Sequence, residues 1–310
     1  MRYNRLGLVL HPTRDVAAIV TMILDWAHGH QVEILVDRQQ RHRVPDGVLP
    51  ADPAMLVNEC DSLISIGGDG TMLGALRMTV DRPKPVMGVH LGQLGFLVEV
   101  DPPELPRALD RLATHDFTIE PRSCLRCAVC EERVVAFNDI ALARQPGEGF
   151  VNATLAVDGQ EYGYYRCDSL VISTPAGSTA YSYAAGGPLI SPATEAVVMT
   201  PSAPMAGISR SVVLSPAERI RVHLREDSGR VAVEVDGHVV RHVEGGGELE
   251  VGFQRGAGQV VRFDPRRYRE RSQLKLSLLD LPLLPEQLRE LLPETLRRQA
   301  APHRQDIPPD

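Results

Sequence analysis

Apolar residues in the first third of the chain occur in short runs, separated by stretches with helical spacing. Four runs are short, apolar and bounded by polar, Gly or Pro residues, which is typical of buried strands: 6–10, 32–36, 62–66 and 86–90. Three stretches repeat apolar residues at helical spacing and predict helices: 15–28, 71–80 and 103–114. Residues 38–53 are polar and contain proline, so they predict a loop. This alternation predicts a parallel α/β sheet with helices on its faces.

Near residue 117 the pattern changes to short alternating runs separated by turn signals such as Asp158-Gly159 and Asp236-Gly237. We therefore expect a mainly β domain after the α/β domain. The predicted division of the chain is an α/β domain over 1–118, a mainly β domain over 119–265, a C-terminal segment over 266–299 and a disordered tail over 300–310. We expect the C-terminal segment to pack back on the first domain and to contain a helix at 285–298.

Composition and charge restrict the class of protein. The chain has 310 residues, of which 43% are hydrophobic and 24% are charged, as in ordinary globular proteins. A formal net charge of −7 argues against general nucleic-acid binding, which needs a basic surface. No basic-plus-apolar leader and no apolar run of membrane-spanning length occur in the sequence. We therefore expect a soluble, cytoplasmic protein with neither nucleic acid nor membrane as a partner.

Three of the five cysteines form a Cys-x2-Cys-x2-Cys run at Cys124, Cys127 and Cys130. Such a run occurs in metal and cluster sites, but its surroundings are typical of a strand, in which Cys127 would point away from the other two. No second cysteine or histidine pair at ligand spacing follows closely. The pattern favours buried reduced thiols over a metal site, and no residue is predicted as a metal ligand.

The candidate chemistry centres on a glycine-rich turn, Gly67-Gly68-Asp69-Gly70-Thr71, between a predicted buried strand and a predicted helix. Glycines let a ligand approach the backbone, and the helix that follows directs unpaired N–H groups and a positive dipole end into the same space. An aspartate placed there is either a magnesium contact or a base aimed at a hydroxyl. The combination suggests phosphoryl transfer, although the same residues also form ordinary turns.

A second unusual run, residues 173–188, follows the apolar run 169–173 and contains Pro175, Gly177 and several hydroxyl residues with two tyrosines. Small residues are common in a tight strand-to-helix turn, but that role does not explain the concentration of hydroxyls and tyrosines. A polar, aromatic surface of this kind suits the sugar and base of a nucleotide.

In their order and spacing, four motifs resemble those of the ATP-NAD kinases: Gly67-Gly68-Asp69-Gly70-Thr71, Leu91-Gly92-Gln93-Leu94-Gly95-Phe96-Leu97, Asn138-Asp139 and the run 173–188. The resemblance covers residues from about 6 to about 264. Diacylglycerol kinases, sphingosine kinases and phosphofructokinases share the Gly-Gly-Asp-Gly motif, whereas the Ser-Thr-Pro-x-Gly-Ser-Thr-Ala-Tyr run is far more specific. The resemblance implies an NAD kinase that uses ATP (or another phosphoryl donor), NAD and Mg²⁺ or another divalent cation, and forms a homodimer or homotetramer.

The resemblance also implies roles for individual residues. Asp69 would be the general base toward the adenosine-ribose 2′-hydroxyl of NAD. The residues implied in nucleotide binding are Gly67, Gly68, Gly70, Thr71, Phe96, Asn138, Asp139, Asp168, Thr179, Ala180, Tyr181 and Asp236. Arg77, further along the predicted helix, is either a phosphate contact or a solvated helix residue.

Several positions depart from the family pattern around the substrate pocket rather than in the Gly-Gly-Asp-Gly loop: His90, Asp139, Ser169, Ala184 and Met205. They keep two alternatives open. One is a kinase of the same superfamily that phosphorylates another hydroxyl, and the other is a catalytically weak paralogue that senses NAD(H). Retention of Asp69 argues against the sensor, because a sensor needs no base there.

Overall fold

The computed structural model describes residues 3–92, 95–129 and 132–266. Residues Met1–Phe263 form one compact unit, and Asp264–Asp310 group separately. The predicted domain boundary at residue 118 lies inside the first unit and stays a prediction. The predicted helix at 285–298 and the predicted tail at 300–310 lie outside the described residues, as does Cys130.

The described residues contain eighteen strands and five α-helices. The strands are β1 (Arg5–Leu10), β2 (Glu33–Asp37), β3 (Leu49–Ala51), β4 (Ser62–Gly67), β5 (Pro85–His90), β6 (Thr118–Val129), β7 (Glu132–Ala136), β8 (Asp139–Arg144), β9 (Val151–Val157), β10 (Gln160–Cys167), β11 (Ser169–Ser173), β12 (Val197–Ser202), β13 (Ala206–Gly207), β14 (Val212–Leu214), β15 (Ile220–Leu224), β16 (Val231–Val235), β17 (His238–Val243) and β18 (Glu248–Arg262). The helices are α1 (Ala17–His30), α2 (Pro53–Glu59), α3 (Asp69–Met78), α4 (Leu105–Ala113) and α5 (Tyr181–Ala184), with 3-10 helices at Arg38–Arg43, Pro102–Glu104 and Ala176–Thr179.

The first five strands form a parallel sheet in the order β3-β2-β1-β4-β5. Leu10 pairs with Ile66, and Gly67 pairs with His90, so the carboxyl ends of β1, β4 and β5 meet at one edge. Ligands of parallel α/β sheets bind at this edge. The glycine-rich turn after β4 lies there, as the sequence predicts.

The last long strand, β18, joins this parallel sheet to the antiparallel strands. It runs parallel to β5 through the pair Val260 and Val86, and antiparallel to β6 and β15. Twelve of the described strands therefore form one mixed sheet, and six others form a second, antiparallel sheet in the order β14-β12-β11-β8-β16-β17. The sequence pattern does not predict this junction, because the partners of β18 lie far away along the chain.

Three apolar clusters support this arrangement in the described residues. One lies on the side of the parallel sheet covered by α1 and α4 and contains Trp26. A second contains Met72 and Leu76 of α3 together with Phe137. It therefore joins α3, the helix after the glycine-rich turn, to the antiparallel half of the fold. The third contains side chains of both sheets, such as Tyr165 and Ile172. The helix carrying Asp69 is therefore anchored against strands from both halves.

Cys124 and Cys127 are buried free thiols, as predicted, and Cys60 and Cys167 are buried free thiols as well. Cys124 and Cys127 both lie on β6. Burial raises the pKa of each of these two thiols to about 12. They are therefore protonated and poorly reactive at neutral pH.

Two expectations for the first half are corrected. The predicted loop over 38–53 contains the 3-10 helix Arg38–Arg43 and strand β3, and Pro53 begins α2. Helix α3 begins at Asp69 rather than at Thr71, so the aspartate belongs to the first helical turn.

In the described part of the chain, no helix is long and apolar enough to cross a membrane.

Candidate active site

The glycine-rich turn places Asp69 at the start of a helix. Strand β4 ends at Gly67, Gly68 is extended, and Asp69 is the first residue of α3. The positive end of the helix dipole stabilises a negative charge in this first turn. The sequence therefore folds so that the carboxylate lies at the carboxyl edge of the parallel sheet.

Two backbone N–H groups hold the Asp69 carboxylate. Phe96 N–H donates to Oδ2 at 2.7 Å, and Leu97 N–H donates to Oδ1 at 3.0 Å. A β-carbon on Gly95 would overlap this carboxylate, lying 2.6 Å from Oδ2 and nearer still to Oδ1. Only glycine lets the backbone pass so close. A carboxylate has about four lone-pair sites, so these bonds fix Asp69 and leave capacity to accept a substrate hydroxyl.

Asp236 organises the turn that leads into β8. Its carboxylate accepts the backbone N–H of Asn138 at 2.7 Å, and those of Phe137 and Asp139 at 3.3 Å. Its side chain is 1% exposed and also pairs with Arg77 Nη1 at 2.5 Å. In the described structure, this carboxylate contacts protein backbone and arginine. The role of Asp236 in nucleotide binding stays a prediction. These contacts support an indirect role, because they fix the backbone position of Asn138.

The Arg77 contact adds a role that neither sequence alternative includes. Arg77 lies eight residues beyond Asp69 on α3, about 12 Å along the helix axis. Its ion pair with Asp236 therefore joins the Asp69 helix to the Asn138 turn.

The run 173–188 lies directly against Asn138. Thr174 N–H donates to Asn138 O at 2.9 Å, and Thr174 Oγ1 donates to Phe137 O at 2.7 Å. A β-carbon on Gly177 would lie 2.7 Å from Asn138 Cα and nearer still to its carbonyl, so glycine is required at this approach. The structure thus brings together two motifs that are far apart in sequence.

Within this run, some hydroxyls serve the fold and others face the surface. Ser178 Oγ donates to Pro175 O at 2.6 Å, and buried Ser182 Oγ lies 3.0 Å from Thr200 Oγ1. The predicted contact residues Thr179, Ala180 and Tyr181 are partly exposed beside Asn138 and Asp139. They are therefore among the residues of the run that remain accessible to a ligand, together with Ala176 and residues 183–186.

Asp139 has an unusual electrostatic environment. Its side chain is 3% exposed. Burial, and next the nearby charge of Asp236, raise the pKa of its carboxyl to about 7, while the backbone N–H of Tyr181 opposes this shift. A carboxyl near the Asn138 turn is therefore partly protonated at neutral pH.

Asp168 lies apart from this group. It precedes the five-residue strand β11, whereas Thr174 follows that strand, so the two residues are six steps of extended chain apart, about 20 Å. Its carboxylate pairs with Arg144 Nε at 2.6 Å and is 39% exposed. The structure therefore does not place Asp168 beside Asn138, although both lie along one strand pair.

The positions that depart from the family pattern have different surroundings. His90, at the end of β5, hydrogen-bonds Asp101 through Nε2. Ser169 is buried, whereas Met205 is 60% exposed and Ala184 is exposed. Sequence reasoning missed the roles of Gly95, Thr174 and Leu97, although all three lie in motifs that resemble the family's.

Comparisons with known proteins agree with this architecture. The family model described as the ATP-NAD kinase N-terminal domain matches residues 6–117, and that of the ATP-NAD kinase C-terminal domain matches residues 137–263. A protein named NAD kinase from Desulforamulus reducens is 32% identical over 240 residues, covering 76% of this chain and 83% of the relative. Another NAD kinase, from Gemmatimonas aurantiaca, is 40% identical over 199 residues, covering 62% of this chain and 68% of the relative.

Two solved structures are similar in fold. A crystal structure of an NAD kinase from Archaeoglobus fulgidus in complex with ATP has a TM-score of 0.68 and 26% identity, and the match covers 88% of this chain and 98% of that one. Yeast NADH kinase complexed with NADH has a TM-score of 0.80 and 23% identity, covering 91% and 89% of the two chains. The fold and site define a two-domain phosphotransferase with an α/β half and a mainly β half. The chain belongs to the ATP-NAD kinase family, which confirms the family and fold class predicted from the motifs.

Proposed function

We propose that the protein transfers the γ-phosphate of ATP, or of another phosphoryl donor, to the 2′-hydroxyl of the adenosine ribose of NAD, which yields NADP. The observation that carries this proposal is the Asp69 carboxylate, held at the start of α3 by the Phe96 and Leu97 N–H groups. Family membership supports the same reaction.

In the proposed reaction, Asp69 acts as the general base. Its carboxylate accepts the proton of the 2′-hydroxyl as the hydroxyl oxygen attacks the γ-phosphorus. The bond between the γ-phosphorus and the bridging oxygen breaks, and ADP leaves with that electron pair. The backbone amides near Gly67, Gly68, Gly70 and Thr71 lie at the helix start, where phosphate charge is stabilised.

The described residues fit a magnesium ion that arrives with the nucleotide. No group of three or more His, Cys, Asp or Glu side chains that could hold a metal occurs among them. Mg²⁺ in phosphotransferases keeps several waters and binds substrate phosphates rather than a dedicated protein cage, so it would arrive with ATP. When bound, the ion would neutralise developing phosphate charge. Its presence stays a prediction.

The dinucleotide would bind along β8 and β11. Asn138 and Asp139 would hold the adenine and ribose side, and Thr179, Ala180 and Tyr181 would contact the dinucleotide. The backbone bond from Tyr181 to the Asp139 carboxyl supports this assignment. Phe96 borders the Asp69 end through its backbone contact. Asp168, about 20 Å further along, would meet the nicotinamide side, which suits a ligand with two separated ends.

The test is a coupled NADP assay of the purified protein with Mg-ATP and NAD. We expect turnover by the wild type. We expect Asp69→Asn to lose most of it, on the order of 100-fold or more, while NAD binding by calorimetry stays close to wild type. Tight NAD binding without NADP formation by the wild type would favour the sensor alternative. Phosphorylation of a different hydroxyl compound in an acceptor screen would favour the superfamily alternative.

The homodimeric or homotetrameric state and the cytoplasmic location stay predictions. The resemblance to the family supports the first. Light scattering coupled to size-exclusion chromatography would measure the mass of the assembly against the 34.0 kDa chain.

A further inference from the structure

A buried arginine lies behind the loop that holds Asp69. Arg262, the last residue of β18, is 2% exposed. Its Nε pairs with Glu120 Oε2 of β6 at 2.6 Å, and its Nη1 lies 3.7 Å from Glu99 Oε2. Burying a guanidinium costs free energy that ion pairing alone often fails to recover, so such a residue is weak evidence for stability. A further contact of the guanidinium is therefore informative.

That contact is with Leu97. Arg262 Nη1 donates to the Leu97 carbonyl oxygen at 2.8 Å. The N–H of the same residue donates to Asp69 Oδ1 at 3.0 Å. Both backbone groups of Leu97 are thus bonded, one to the buried arginine and the other to the proposed base. Two residues earlier, the backbone at Gly95 lies so close to Asp69 that a side chain has no room there.

We propose that Arg262 is a positioning residue for the reaction, which clamps Leu97 so that its N–H holds the Asp69 carboxylate toward the acceptor hydroxyl. Glu120 fixes the guanidinium from β6, and Arg122 Nη2 in turn pairs with Glu120 Oε1 at 2.8 Å. The strand that joins the two halves of the fold therefore also sets the orientation of the base. This inference rests on the proposed kinase activity.

The main variant is Arg262→Met, which keeps much of the apolar length but removes the donors. Because a single change leaves the partly buried Glu120 with less positive charge beside it, the double variant Arg262→Met with Glu120→Gln removes the charge imbalance and keeps an acceptor for Arg122. Arg262→Lys restores one cationic donor. Arg221→Met is the matched control, since Arg221 is a strand arginine in an exposed pair with Glu248.

We expect kcat to fall about 10-fold or more in Arg262→Met and in the double variant, with KM for NAD within about 3-fold of wild type. Arg262→Lys regains part of kcat, and Arg221→Met keeps wild-type values. Hydrogen exchange followed by mass spectrometry should show faster exchange at residues 95–99 in both methionine variants, and not in the control. Hydrogen exchange does not depend on turnover. A wild type that makes no NADP would therefore overturn the proposed function, whereas the exchange at residues 95–99 would still test the contact between Arg262 and Leu97.

A folded double variant with wild-type kcat and unchanged exchange at residues 95–99 would overturn the inference. A fall in apparent kcat that equals the fraction of native protein lost, with exchange at residues 95–99 unchanged in the protein that stays native, would also overturn it.

Discussion

Gly95 lies so close to Asp69 that no side chain fits between them. A β-carbon at residue 95 would be 2.6 Å from Asp69 Oδ2 and closer to the rest of the carboxylate. The next two residues donate their N–H groups to the same carboxylate at 2.7 and 3.0 Å. The Asp69 carboxylate and the loop after β5 are therefore one structural unit, and Gly95 is required for its assembly.

The first prediction concerns Gly95→Ala. The added methyl group should displace Asp69 or the loop, because the carboxylate lies at a helix start and its backbone cannot shift freely. A displacement near 1 Å at a reacting group costs about 100-fold in rate, so we expect kcat to fall by about that factor. Steady-state NADP formation measures it.

Gly29→Ala is the control for Gly95→Ala. Gly29 lies in α1, and a β-carbon there meets no atom within 4 Å. Alanine is favoured over glycine inside a helix by about 0.5–1 kcal/mol, so activity should persist and stability should hold or rise. Wild-type turnover by Gly95→Ala would contradict the close approach of the loop to Asp69.

The second prediction concerns the buried Asp236 carboxylate. Asp236→Asn removes the charge that pairs with Arg77 and weakens the bonds from the Phe137, Asn138 and Asp139 N–H groups. Breaking buried, charge-assisted contacts from one side is costly, and we expect a loss of about 2–4 kcal/mol in the free energy of unfolding. Urea unfolding at pH 7 measures this loss.

Asp46→Asn provides the comparison for this variant. Asp46 pairs with Arg41 but is fully exposed, so its substitution should change the free energy of unfolding by less than about 0.5 kcal/mol. Equal effects of the two substitutions would mean that Asp236 does not anchor the Asn138 turn.

Local signals in the sequence were sufficient for the parallel half of the fold and for the position of the base. The short apolar runs identify β1, β2, β4 and β5, because buried parallel strands have continuous apolar residues. The carboxyl edge of these strands then locates Asp69. Its inclusion in α3 was missed because glycine at residue 70 is a poor helix former, and tertiary contacts outweigh that preference.

Contacts between distant residues could not be predicted from local pattern. Arg77 and Asp236 are 159 residues apart, and Arg262 and Leu97 are 165 apart. Each residue has ordinary neighbours in sequence, and its partner depends on how β16, β18 and the parallel sheet are placed. Gly95 and Gly177 lie in motifs that resemble the family's, so the sequence indicates that both positions belong to the site. The residues that each glycine approaches, Asp69 and Asn138, are evident only from the structure.

The last prediction concerns the pH dependence caused by Asp139. Its pKa is raised by burial from an ordinary value of 3.8 to about 7, so between these values the native protein binds more protons than the unfolded chain. The free energy of unfolding therefore falls as pH rises from about 4 to about 7 on account of this residue, and the full penalty remains above pH 7. Asp139→Asn removes the titrating group and keeps an oxygen that can accept the Tyr181 N–H.

We therefore expect Asp139→Asn to gain stability relative to wild type as the pH rises, by an amount of order 2 kcal/mol at pH 8 compared with pH 4. Urea unfolding of both proteins at half-unit steps from pH 4 to 8.5 measures the difference, and Asp46→Asn serves as the control in the same series. Because nearby Asp236 also raises the Asp139 pKa, the difference should shrink in an Asp236→Asn background. A difference between Asp139→Asn and wild type that stays constant with pH would show that Asp139 has the same pKa in the native and unfolded states. Burial beside the Asn138 turn would then not govern its charge.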